Sequence, residues 1–166
     1  MENIGTIIRN FKFLKHNLNL AKGRIKYIKK ETVFSLDKTA KLEINGVLTF
    51  NDTAIRGMKK SSLLRMDKNS RLSTAGKFRF FYGADIILFE GSELILGRES
   101  YINSDCKIRC KNNITIGNQC AIGPEFICID SDWHSINDSM KNEPIVIGNN
   151  VWIGTRVTIL SGVHIR

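Results

Sequence analysis

"IGNNVWIGTRVTILSGVHI", residues 147 to 165, sets an isoleucine at Ile147, Ile153, Ile159 and Ile165, with Val151, Val157 and Val163 four places after the first three. A six-residue period matches neither the 3.6-residue turn of an α-helix nor the two-residue alternation of an isolated strand. It is a signature of a parallel β-helix, in which each hexapeptide makes one short strand and one corner, and three of them close a triangular coil. Ile147 and Ile165 are eighteen residues apart and are therefore expected to stack. The aliphatic residues point into a narrow core. Gly148, Gly154, Asn149 and Asn150 are expected to form the tight corners, because Gly and Asn tolerate left-handed backbone angles.

The phase runs backwards through Ile116, Ile122 and Cys128, and before them through Leu96, Ile102 and Ile108. Two interruptions stand out. Ile108 to Ile116 is eight residues, which predicts a bulged corner at Lys111, Asn112 and Asn113. Cys128 to Ile147 is nineteen residues, so a loop of thirteen, Ser131 to Glu143, is expected to leave the coil. Insertions in repeat proteins map to loops on one face, often the binding face. This one carries "DSDWHSI" and with it His134. Residues 41 to 96 alternate apolar and polar more loosely and read as irregular early coils, with Phe78, Phe80, Phe81 and Tyr82 packing a coil face or a subunit contact.

The 166 residues suit a single elongated domain, divided into a basic N-terminal helical segment, 1–30, and a β-helix, 31–166. Residues 1 to 60 hold thirteen Lys or Arg against five Asp or Glu, a net of +8, whereas residues 61 to 166 carry a net of +1. Within the basic third, Ile4, Ile7, Ile8, Phe11, Leu14 and Leu18 recur at helical spacing, with Arg9, Lys12 and Lys15 largely off that stripe. This basic amphipathic helix has two readings, a cap on the open end of the solenoid or a contact with an anionic polymer or membrane surface. Nucleic acid is not expected, because no base-stacking or groove-reading motif accompanies the charge. No apolar run suits a membrane span and no signal sequence is apparent, so the cytoplasm is expected, with peripheral contact at the inner face of the membrane as the further expectation. Cys106, Cys110, Cys120 and Cys128 fall inside the repeats without a CxxC pair and read as reduced core residues.

The hexapeptide run, the looped-out "DSDWHSI" and the following "IGNNVWIGTRVTI" together resemble the left-handed parallel β-helix acyltransferases, and among them the sugar O-acetyltransferases of the galactoside, maltose and polysaccharide-modifying kind. The resemblance covers residues 85 to 166 closely and 35 to 84 loosely. It implies a homotrimer that transfers acetyl from acetyl-CoA to a sugar hydroxyl, with active sites between neighbouring subunits. It also implies His134 as the base, Asn103 of "SYINSDC" beside the acceptor, and Trp152 lining the cleft. Gly154 and Thr155 fall on the stretch that follows the pantetheine arm. Asp130 and Asp132 are both candidates to orient the imidazole, Asp132 slightly favoured, and Asp130 is also placed at the acceptor. The chemistry agrees: a sugar hydroxyl does not ionise near neutral pH, and an imidazole titrating near 6.5 can take its proton during attack on the thioester. No metal is expected, because the loop lacks the further histidines of a zinc site. The second reading is a catalytically impaired β-helical scaffold, since the chain stops at Arg166 just inside a new repeat, where relatives continue with coils that complete the cofactor site.

Overall fold

The structure, a computed structural model, describes residues 24–26, 31–54, 57, 60–133 and 142–166. All the regular elements among them are strands, eighteen in number, arranged as six coils of three. The first two coils hold β1 Arg24–Lys26, β2 Thr32–Leu36, β3 Lys41–Ile44, then β4 Val47–Asp52, β5 Ser62–Met66 and β6 Arg71–Thr74. Next come β7 Phe78–Phe81, β8 Asp85–Leu88 and β9 Glu93–Leu96, followed by β10 Ser100–Ile102, β11 Lys107–Cys110 and β12 Asn113–Ile116. The last two coils hold β13 Ala121–Ile122, β14 Ile127–Ile129, β15 Ile145–Ile147, then β16 Trp152–Ile153, β17 Thr158–Leu160 and β18 His164–Ile165. Every third strand pairs in parallel with the last, giving three six-stranded sheets that begin at β1, β2 and β3. This is the parallel β-helix that the hexapeptide phase predicts, left-handed as the resemblance implies.

All-parallel sheets normally have both faces covered and read as continuous apolar runs. Here the three sheets cover one another's inner faces and leave the outer faces to solvent, so the strands alternate. In β9, Leu94 and Leu96 are buried and Glu93 and Ile95 are not. The inward residues stack in columns. Leu96, Ile116, Ile147 and Ile165 form one, as the eighteen-residue spacing predicts for its last step. Each fully buried aliphatic side chain contributes about 1.5–3 kcal/mol relative to exposure.

Two departures hide the early coils from a six-residue count: nine residues stand between β4 and β5 of the second coil, where β4 also shifts register between Thr49 and Asp52, and a second corner is long in each early coil. From the second sheet to the third, successive coils run Phe34 to Ile44, Leu64 to Thr74 and Ile86 to Leu96, ten residues each, then Ile108 to Ile116, Cys128 to Ile147 and Ile159 to Ile165. The insertion that carries "DSDWHSI" thus extends a corner already long in every earlier coil. Phe78 and Phe80 lie wholly inside, where Phe80 stacks on Phe50 at 5.2 Å; only Phe81 and Tyr82 of that aromatic cluster face outward.

Two expectations need correction. Gly148 and Gly154 do not take the left-handed angles at the corners; Asn150 (φ 58°) and Arg156 (φ 60°) do, two residues later. Close stacking falls instead on the glycines of the preceding coil: a Cβ on Gly123 meets the Gly154 carbonyl carbon at 2.7 Å and one on Gly117 collides with the Gly148 carbonyl, whereas a Cβ on Gly154 meets nothing within 4 Å. The segment 1–30 is also not helical throughout, because β1 pairs with β4 through Ile25 and Leu48. The amphipathic stripe from Ile4 to Leu18 lies outside the described residues.

Candidate active site

On the outer face of the first sheet and the corner after it, a groove of about 220 Å³ is lined by Tyr101, Asn103, Ala121, Ile122, Gly123, Pro124 and residues 152–155. It brings together Asn103, Trp152, Gly154 and Thr155, four sequence-predicted site residues spread over fifty positions. Stacking explains this: Tyr101 pairs with Ala121 and Ala121 with Trp152, so consecutive coils deliver them to one column. Ala121 and Gly123 keep the floor low between the two aromatic walls. Trp152 stands with 80% of its surface exposed. The Oδ1 of Asn103 accepts a hydrogen bond from the Ser104 N–H at 2.7 Å, which leaves its amide N–H groups without a hydrogen bond to any described protein group. Tyr101 is a groove residue that the sequence does not mark, because only the register puts it opposite Trp152 across Ala121.

The loop leaves from the corner between the second and third sheets, and the bulge above it holds both of its roots. In earlier coils this corner closes on its own turn, with Ser70 N–H donating to the Asp67 carbonyl and Ser92 N–H to that of Phe89. Lys111 and Asn112 are too short a connection for such a turn. Their N–H groups donate instead to the carboxylate of Asp130, at 2.5 and 2.9 Å, and Asp130 has no exposed surface. Asn112 Nδ2 also donates to the Asn142 carbonyl at 2.6 Å, where the chain returns from the loop. Two irregularities that look independent in the sequence are therefore one clamp. Asp130, expected at the acceptor or beside His134, has its oxygens occupied by this clamp within the protomer.

Asp132 is partly buried, and Trp133 beside it is half-exposed with a left-handed backbone, φ 57°. Such an angle is a real outlier for so bulky a residue, and strain of this kind gathers at functional sites. The indole packs edge-on against Phe89, ring centroids 4.4 Å apart, and Lys111 Nζ lies 5.9 Å from the same ring. Nothing in the sequence links Trp133 to Phe89. His134 lies outside the described residues, as does His16; His164 is exposed on β18. The four cysteines are free and buried, and burial pushes the Cys106 thiol up to about 12 and those of Cys110 and Cys128 higher. None is suited to act as a nucleophile.

No protein-family model matches the chain. It is 33% identical over 106 residues to the polysialic acid O-acetyltransferase of Escherichia coli O1:K1 / APEC, covering 60% of this chain and 31% of that protein. To the galactoside O-acetyltransferase of Escherichia coli K12 it is 37% identical over 81 residues, 45% of this chain and 39% of the other. The chain resembles the hexapeptide-repeat sugar O-acetyltransferases. It spans between three tenths and two fifths of the length of these relatives. Among solved structures, the polySia-specific acetyltransferase NeuO matches with a TM-score of 0.48 and 22% identity, over 86% of this chain and 71% of that one.

Proposed function

We propose that this protein transfers an acetyl group from acetyl-CoA to a hydroxyl of a sugar, within a cell-surface polysaccharide or its precursor. The observation that carries this reading is the groove that collects Asn103, Trp152, Gly154 and Thr155 in a chain similar to sugar O-acetyltransferases. His134 takes the proton of the hydroxyl as its oxygen attacks the thioester carbonyl, and returns it to the departing CoA thiolate. Asp132 orients the imidazole, since the clamp at the loop root engages Asp130. Asn103 donates to the acceptor, and the thioester lies against Trp152 with the pantetheine arm along Gly154 and Thr155. Backbone N–H groups at the cleft stabilise the oxyanion.

The same reading calls for a homotrimer. The loop whose sequence carries His134 starts from the second corner, whereas the groove lies on the first sheet and the first corner. About six extended residues of the second sheet, roughly 20 Å, separate them. One copy's loop completes the next copy's groove more readily than its own. The basic N-terminal third suits an anionic acceptor or an anionic membrane surface. No helix among the described residues is long and apolar enough to cross a membrane, and we place the protein in the cytoplasm, at or near the inner membrane face.

Free-thiol release from acetyl-CoA in the presence of a panel of sugars tests the activity directly. A sugar-dependent signal is expected, and His134→Ala is expected to lower it by about 10²- to 10⁴-fold with acetyl-CoA binding retained. No sugar-dependent release from the wild type, or equal release from the variant, overturns the assignment.

A further inference from the structure

The groove does not end at Tyr101. On the outer face of the first sheet the register continues from Trp152 through Ala121 and Tyr101 to Arg79. Arg79 and Phe81 both point outward from β7, where they alternate with the buried Phe78 and Phe80. The Phe81 ring stacks on that of Tyr101, centroids 5.6 Å apart and planes 18° from parallel. The guanidinium carbon of Arg79 lies 5.2 Å from the Tyr101 ring centroid and 5.6 Å from that of Phe81. These rings form an apolar shelf, and Arg79 lies over both of them.

The pairing of that guanidinium is the informative detail. Arg65 donates twice to Asp67, at 2.8 and 2.9 Å, and Arg109 meets Asp85 at 2.5 Å with two further bonds to backbone carbonyls. Arg79 makes one 3.3 Å contact with Asp52, and no other hydrogen bond to a described residue. About a third of its side chain is exposed. Its planar fork of donors is made to hold a carboxylate in two bonds, and here one long contact to Asp52 uses only part of it while the rings fix its direction.

We infer that the column Trp152, Tyr101, Phe81 and Arg79 is an extended acceptor track for a linear acidic saccharide, with the reacting unit at Trp152 and Asn103 and the carboxylate of a more distant unit on Arg79. This deepens the proposed activity and rests on it. The spacing fits. Stacked coils rise by about 4.8 Å each, close to the length of one pyranose unit, so the three steps from Trp152 to Arg79 span roughly 14 Å, two to three sugars. Stacked on each other, Phe81 braces Tyr101, whose remaining apolar surface packs the C–H face of a pyranose, and Ala121 leaves a gap between Tyr101 and Trp152 in which the chain can descend to the floor. The track is continuous with the groove, which is why a saccharide rather than another protein is its occupant.

Acceptor length tests this. kcat/KM is to be measured with an oligosialic acid series of one to five units and a neutral maltooligosaccharide series, for the wild type, Arg79→Gln and Phe81→Ala, with thermal midpoints as a check on folding. The expected result is a rise of at least tenfold from one acidic unit to three in the wild type, flattened in both variants, with the single-unit rate unchanged. A wild type indifferent to length, an equal gain in the neutral series, or variants that slow single units and oligomers alike overturns the track. Saturation-transfer NMR of the sialic acid trimer separates the two proposals. If no sugar is acetylated, the activity falls; contact with the trimer that is lost in Arg79→Gln then keeps the track, and no contact in the wild type removes it.

Discussion

At the scale of single residues, Asp130 joins two features of the chain that are distant in function. Its buried carboxylate accepts from the Lys111 and Asn112 N–H groups at a partly exposed corner and fixes the start of the loop with "DSDWHSI". Asp130→Ala takes the acceptor from two donors that are only partly buried, on the half-buried Lys111 and the exposed Asn112, and each such bond contributes about 0.5–1.5 kcal/mol net. The expected loss is therefore about 1–3 kcal/mol by denaturant unfolding, with faster proteolysis between residues 130 and 143. Unchanged stability would mean that the clamp is not a structural element. The cysteines give a second prediction at this scale. Burial holds the thiols of Cys106, Cys110 and Cys128 protonated in the folded chain, whereas in the unfolded chain they ionise near pH 9. Above that pH the folded state binds more protons, so stability falls as pH rises, by roughly 1.4 kcal/mol per pH unit for each such thiol until its folded value is reached. At neutral pH all four thiols should resist alkylation until the protein unfolds.

Among the elements, the corner glycines are stacked like the strands. Gly97, Gly117 and Gly148 lie one above another, and a Cβ on either of the first two runs into the carbonyl of the next. That carbonyl is backbone and cannot swing aside as a side chain can, so Gly117→Ala forces coils apart. The expected cost is about 2–3 kcal/mol or more. Gly91 makes the control: its φ is +73° and an added Cβ meets nothing within 4 Å, so Gly91→Ala is strained only by its backbone angle, at about 1 kcal/mol. Comparison of the two unfolding midpoints checks this, and equal effects would refute the stacking role.

For the whole molecule, coils touch mainly their immediate neighbours along the stack, as in other solenoids. The loop root and the groove occupy different corners, and the proposed trimer brings them together from two copies. Light scattering at micromolar concentration should give three times the protomer mass of 18.8 kDa. A mixing experiment goes further. His134→Ala and Trp152→Ala chains, each impaired alone, should regain about a quarter of wild-type activity when unfolded together and reassembled, because a closed ring with random placement restores one site in four. No recovery in a mixture shown to be trimeric would place both residues in one subunit's site.

The sequence by itself determined the coil. Its six-residue period, the eighteen-residue match of Ile147 to Ile165, and the sites of the bulge and loop are properties of spacing along the chain, and a stack of near-identical coils obeys local spacing. The family resemblance, carried by the same regular coils, pointed to Asn103, Trp152, Gly154 and Thr155. Tertiary structure decided what depends on vertical register. Early coils concealed their period because a ten-residue third leg replaced six and nine residues stand between β4 and β5. Gly148 and Gly154 read as left-handed corner residues, but Asn150 and Arg156 take those angles, and the neighbouring coil, which no local window contains, makes the space above Gly117 and Gly123 too small for a Cβ. In the same way Asp130 reads as a surface acid of an active loop until the corner above supplies two N–H groups for it. Tyr101, Phe81 and Arg79 meet Trp152 only because strands separated by twenty-two, twenty and thirty-one residues are hydrogen-bonded neighbours, and that alignment follows from corner lengths summed around each coil.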